Sequence, residues 1–146
     1  DGVEILDHKK FISWDEFISL GSKIEENEVL TKTDAIDINE TTLVGSATSS
    51  LTTVASTPIY TGLSTTIYRS VEYTIQATEG TNFHSTKILA LHNGTTAYHS
   101  EYGTIFNNSS VAAFDVDISG GNIRLLATSA VALQTDYVIN FVATKL

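Results

Sequence analysis

The sequence predicts an all-β fold: an antiparallel β-sandwich or jelly-roll-like domain, preceded by an N-terminal arm and one short helix. Three observations carry this. Threonine, serine and β-branched residues are abundant while proline occurs once, at Pro58, a composition suited to pleated strands rather than helices. From Tyr68 onward, short segments separated by Gly- or Asn-containing turns carry strand signals, the spacing of strands in a sandwich. Finally, Phe114 to Leu126 reads FDVDISGGNIRLL, alternating apolar and polar residues up to a Gly-Gly break and resuming with Ile123, the clearest hairpin signal in the chain.

Taken in order, residues 1–12 hold Val3, Ile5, Leu6, Phe11 and Ile12 around Asp7-His8-Lys9-Lys10 without periodicity, and read as an extended arm. Ser13-Trp14-Asp15-Glu16 matches a capping box, so a helix is expected to start there. Its apolar residues Trp14, Phe17, Ile18, Gly21 and Ile24 fall at helical spacing and leave Glu16, Lys23, Glu25 and Glu26 for water. A helix this short must dock on something. That partner is its own β-domain, another copy or a neighbouring protein; for the latter two, Trp14, Phe17, Ile18 and Ile24 are the candidate assembly interface. Domain organisation follows as 1–30 for arm and helix and 31–146 for the β-domain.

Between Val29 and Gly62 bulky side chains thin out. Ala35-Ile36-Asp37-Ile38 and Thr42-Leu43-Val44 are expected as a strand pair or one bulged strand, Leu51 to Ala55 as a further strand, and Pro58 at a strand start or in a loop because it has no N–H to donate. Strand signals then cover Tyr68 to Thr78, Phe83 to His92, Thr95 to Tyr102, Val111 to Ile118, Ile123 to Thr128 and Tyr137 to Thr144. In the hairpin, Phe114, Val116 and Ile118 should face the core and Asp115 and Asp117 outward. Leu125 and Leu126 are adjacent and cannot share a face; one is expected in the core and the other against a second sheet or a neighbouring subunit.

Composition limits function. Seventeen acidic against eight basic residues give a formal charge of −9, which repels nucleic-acid phosphate and anionic membrane surfaces. No apolar run approaches the about 18 residues of a membrane-spanning helix, so neither nucleic-acid binding nor membrane insertion is expected. There is no cysteine, which rules out disulfides and thiolate metal ligation. The chain starts at Asp1 and contains no Met, which suggests a processed chain or a piece of a longer one.

Histidines 84, 92 and 99 raise a metal hypothesis. A two-residue Asn93-Gly94 turn would leave His92 and His99 about 13 Å apart along the ladder, and a four-residue loop would make them diagonal neighbours at about 7–8 Å. Both are loose for ligation. The histidines share a face with Thr86 and Glu101, opposite Leu89, Leu91 and Tyr98, and that histidine face is expected toward solvent or an interface. Asp115 and Asp117 with Asn122 offer oxygen ligands near a glycine turn but lack the dense loop spacing of a calcium hand. No nucleophile elbow, phosphate loop or clear carboxylate pair stands out, so no enzyme, cofactor or metal is expected. Tyr98 and Tyr102 are the candidate glycan contacts, since aromatic faces stack on sugar rings.

A resemblance adds to this. The pieces Tyr68-Arg69-Ser70-Val71-Glu72-Tyr73, Lys87 to Tyr98, Glu101-Tyr102-Gly103, Phe114 to Ile118 and Gly121 to Leu126, in this order and with Ile36 to Thr42 ahead of them, are similar to a module of virion structural proteins of marine tailed bacteriophages, notably cyanophages. It spans roughly residues 35 to 144. The resemblance implies a non-enzymatic β-module of a tail fibre, appendage or head-surface (decoration) protein on the virion surface, assembling as a homotrimer. Partners would be its own copies and, through residues 1–30, which lie outside the resemblance, other virion proteins; the alternative reading, from the exposed tyrosines, is a carbohydrate-binding module that takes a host surface glycan.

Overall fold

The computed structural model describes residues 35–146. The expected arm and helix, with Trp14, Phe17, Ile18 and Ile24, lie outside the described residues. Within them the chain is all-β, with nine antiparallel strands in two sheets. They are β1 (Ala35–Ile38), β2 (Thr42–Leu51), β3 (Thr57–Ser64), β4 (Tyr68–Glu79), β5 (Asn82–His92), β6 (Ala97–Phe106), β7 (Ala112–Ser119), β8 (Asn122–Ser129) and β9 (Thr135–Lys145). Six form a large sheet in the order β1-β2-β9-β4-β5-β6, and three form a small sheet in the order β3-β8-β7.

Turn chemistry sets the registers. The Gly120-Gly121 hairpin forms as expected: Ser119 pairs with Asn122 across it, and both glycines have positive φ, 58° and 76°, which a type I′ turn demands. Asn93-Gly94 does not close a two-residue turn. His92 pairs with Ala97, and the Asn93 carboxamide accepts from the Thr95 and Thr96 amides at 3.0 and 2.9 Å, so side-chain capture widens the loop to four residues. The expected pair Ala35 to Ile38 and Thr42 to Val44 is β1 with the start of β2.

One expected strand is absent and another takes its place. Leu51 closes β2, and 52–56 are not strand. There the Thr53 hydroxyl accepts from the Ala55 amide and the Thr57 hydroxyl donates to the Ala55 carbonyl, local bonds that compete with a ladder. The strand is instead Thr57–Ser64, whose two register shifts erase the period-2 pattern. Pro58 sits near the start of this edge strand, where its missing N–H costs no ladder bond.

The core lies between the sheets. From the large sheet come Val71, Tyr73, Ile75, Ile88, Tyr137, Ile139 and Phe141; from the small sheet Ile59, Leu63, Val116, Ile123 and Leu125. Aromatic rings span the gap: Tyr60 lies 4.7 Å from Phe141 and 6.4 Å from Tyr73, and Phe114 lies 6.1 Å from Tyr137. Phe114, Val116 and Ile118 point inward as expected, and Asp115 is exposed. Leu125 and Leu126 are both buried, on opposite faces of β8. Gly45 is needed for space, because a Cβ there would overlap the Phe141 ring.

Two buried phenols behave oppositely. The Tyr137 hydroxyl lies 2.7 Å from the Ser129 hydroxyl, tying the sheets together, while the fully buried Tyr73 hydroxyl has no partner among the described residues. An unpaired buried polar group costs about 1–3 kcal/mol. Tyr73→Phe should therefore raise stability by about 1 kcal/mol. Tyr137→Phe should lower it by about 1–2 kcal/mol, because it strands the Ser129 hydroxyl. Urea denaturation of both variants checks the contrast in sign.

Candidate ligand-binding face

Side chains alternate across a strand, so fixing Val71, Tyr73, Ile75 and Ala77 inward turns Glu72, Thr74 and Gln76 outward. Registers carry this choice across the sheet: Val44 pairs with Val142, Val142 with Glu72, Glu72 with Leu89, and Leu89 with Ser100. On β5 the inward set is His84, Thr86, Ile88, Ala90 and His92, and all five are buried. The outward set is Phe83, Ser85, Lys87, Leu89 and Leu91. The expected orientation is thus reversed: two of the three histidines lie in the interior, and the leucine face is the open one.

The buried histidines are held by backbone. His92 Nδ1 accepts from the Gly94 amide at 3.0 Å, so Nε2 donates to the Tyr68 carbonyl at 2.6 Å. His84 Nδ1 accepts from the Val111 amide at 3.2 Å, while its buried Nε2 has no partner among the described residues. The His84 ring makes edge contacts with Phe106 and Phe114. Burial holds its pKa below the ordinary value, partly opposed by the Glu101 carboxylate. His99 sits instead beside Asp115, at 3.7 Å. Among the described residues no three His, Cys, Asp or Glu side chains come together as metal ligands. Asp117 is occupied by a two-pronged ion pair with Arg124.

Tyr98 and Tyr102, the two residues singled out for glycan contact, stand on the outward face of β6 at 52% and 42% exposure. Ser100 lies between them. Tyr98 Oη accepts from Asn93 Nδ2 at 3.2 Å. Tyr102 Oη donates to Glu72 Oε2 at 3.0 Å, and Lys87 Nζ lies 3.2 Å from Glu72 Oε1. The Tyr102 hydroxyl, and after it Lys87, hold the Glu72 carboxyl below its usual value, and the same bond raises the Tyr102 phenol. Neighbouring β5 adds Leu89 and Leu91, each about half exposed.

At the far end of the strip a groove of about 410 Å³ is lined by Gln76, Phe83, His84, Ser85, Ile105, Phe106 and Asn107. Among the described residues no carboxylate lines it. At this end β6 is bulged, with Gly103 and Thr104 together opposite Thr86 of β5. Gly103 has φ of 66°, a conformation in which any side chain is strained. The tyrosines were legible in the sequence as exposed aromatics. Glu72, Lys87, Phe83 and Ile105 were not, because which face of β5 opens outward depends on the opposing sheet.

No protein-family model and no curated protein matches the chain. Among solved structures it is similar to a tailspike protein of the Acinetobacter baumannii bacteriophage Fri1, described as a capsular polysaccharide depolymerase, at a TM-score of 0.44 and 10% identity over 77% of this chain. It is also similar to the tailspike proteins of Acinetobacter phage vB_ApiP_P1, at 0.40 and 20% identity over 67% of this chain, and of Acinetobacter baumannii phage AM24, at 0.42 and 9% identity over 70%. The matches span 21%, 20% and 26% of those chains. The expectation of a non-enzymatic chain is corrected here: the first of these tailspikes is itself an enzyme.

The His84 environment has a pH signature. With its pKa depressed in the folded protein, the unfolded chain binds more protons below about pH 6.5. The stabilisation is therefore full above that value and lost as pH falls through the depressed one. The carboxyls held low, Asp37, Glu72 and Asp136, act only further down, below the ordinary carboxylate range. Urea midpoints should fall between pH 7 and pH 5 in the native protein, and fall measurably less in His84→Asn. Equal falls in the two would refute this assignment.

Proposed function

We propose that the described unit is a β-module of a phage virion appendage, at the particle surface, and that the outward face of β4, β5 and β6 binds a surface polysaccharide. The observation that carries the binding reading is the strip of exposed Leu91, Leu89, Tyr98 and Tyr102 beside the Glu72–Lys87 pair. A sugar polymer presents apolar ring faces edged with hydroxyls. A row of aromatic and aliphatic groups interleaved with hydrogen-bonding ones matches that pattern.

The geometry suits a linear chain. Tyr98 and Tyr102 are four residues apart, about 13 Å along a strand, and the groove at Phe83, Ile105 and Phe106 continues the line. Tyr102 is held by Glu72 rather than free to rotate, which lowers the ordering cost on binding. The formal charge of −9 disfavours strongly anionic polymers, so the preferred ligand is a neutral glycan. The virion setting follows the resemblance of residues 68–73, 87–98 and 114–118 to phage virion modules.

In this reading residues 1–30 attach the module to other virion proteins and to its own copies, as a homotrimer, through Trp14, Phe17, Ile18 and Ile24. The full chain should then show Trp14 emission shifted to the blue in the assembled state. Emission unchanged between dilute and assembled samples would remove the helix from the contact.

Titration calorimetry with purified host surface polysaccharide tests the binding face. Tyr98→Ala and Tyr102→Ala should each weaken binding about tenfold, the scale of one aromatic contact. Thr48→Ala, on the same sheet face but on distant β2, should leave it unchanged. Native affinity in both tyrosine variants would overturn the assignment of this face.

A further inference from the structure

The large sheet ends in two unlike edges. On one side β1 has only four residues, and Asp37 on it is paired with Lys145. On the other, β6 runs ten residues, every residue from Tyr98 to Phe106 is exposed, and no strand among the described residues pairs with its outer side. A long open edge with apolar side chains is a template for another strand. The sequence along it is close to a palindrome: Tyr98-His99-Ser100-Glu101-Tyr102.

We propose that β6 pairs antiparallel with β6 of a second copy of this chain, in a register centred on Ser100. In that register Tyr98 meets the partner copy's 102 position and His99 meets its 101 position, each twice by the two-fold symmetry. The outward face gains two Tyr-Tyr pairs and the inward face two His-Glu pairs, the aromatic and donor-acceptor pairings that stabilise neighbouring strands. Glu101 bonds Thr86 and Thr104 through Oε1 alone, which leaves Oε2 for His99. Asp115 Oδ1 lies 3.7 Å from His99 Nδ1, which leaves Nε2 for the partner copy. Shifting the register by one residue exchanges the two faces and loses both sets of pairs. The bulge at Gly103 ends the regular edge, so pairing runs from Ala97 to Gly103.

This contact shares Tyr98 and Tyr102 with the proposed glycan face, and it joins two large sheets into one continuous sheet. Seven paired residues bury less than the about 1,200 Å² of a standard stable interface, so association depends on concentration. The side chains on the inward face act as a key: an unrelated strand would meet His99 and Glu101 without matching them, while an identical one satisfies both.

The absence of cysteine from the chain makes the register directly testable. In the full-length protein Ser100→Cys places one thiol opposite its own copy, within the about 4.5–5.5 Å Cα separation of paired strands, a distance a disulfide spans. Mild oxidation should cross-link Ser100→Cys into covalent dimers. Tyr98→Cys alone should not cross-link, because its copy lies about 13 Å away along the strand. Sedimentation should give half the native mass for H99E, which sets carboxylates against each other, whatever multimer residues 1–30 make. H99E/E101H should restore it. Native mass in H99E, or equal cross-linking at positions 98 and 100, would overturn the proposal.

Discussion

The packing of Tyr60 and Phe114 from the small sheet onto Tyr73, Phe141 and Tyr137 of the large one decides the rest of the molecule. Strand side chains alternate with period two, so once these rings face inward every other residue of six hydrogen-bonded strands is assigned to the outside. The outside set includes Leu89, Leu91, Tyr98 and Tyr102. A three-stranded sheet opposite a six-stranded one leaves its partner open on one face and along β6. The proposed binding face is the outer side that this assignment leaves open, and β6 is its free edge.

The long hairpins were legible in the sequence because local chemistry specified them. Gly120-Gly121 supplies two positive φ angles, and the alternation Val71, Tyr73, Ile75, Ala77 has only one face able to be buried. β3 was not legible, since its register shifts break alternation. The orientation of β5 was not legible either: both of its faces carry apolar residues, and His84, Thr86 and His92 look polar until backbone groups from Gly94 and Tyr68 are seen to hold both ring nitrogens of His92, and Val111 the Nδ1 of His84. Burial of a polar group depends on partners distant in sequence, which a local pattern does not contain. The non-enzymatic expectation rested on missing motifs, and catalytic carboxylates have no motif of their own.

The same inversion underlies the proposed function. Had the histidine face opened outward, the surface would be polar and weakly featured. With the leucines and tyrosines outward, it becomes a firm strip on regular strands, anchored by the Glu72, Lys87 and Tyr102 bonds. A rigid scaffold keeps such side chains pre-ordered, so little entropy is lost on binding. The edge beside the strip shares Tyr98 and Tyr102, and pairing along it would set two strips side by side on one continuous sheet, giving a repeating polymer two sites at once.

The central claim is that polysaccharide lies along the outward face of β4 to β6. Backbone amide NMR of the full-length protein during titration with host-polysaccharide oligosaccharides measures it most directly. The account predicts shifts concentrated at Phe83, Leu89, Leu91, Tyr98, Tyr102 and Ile105. Shifts confined to the small sheet, β3, β7 and β8, would contradict it.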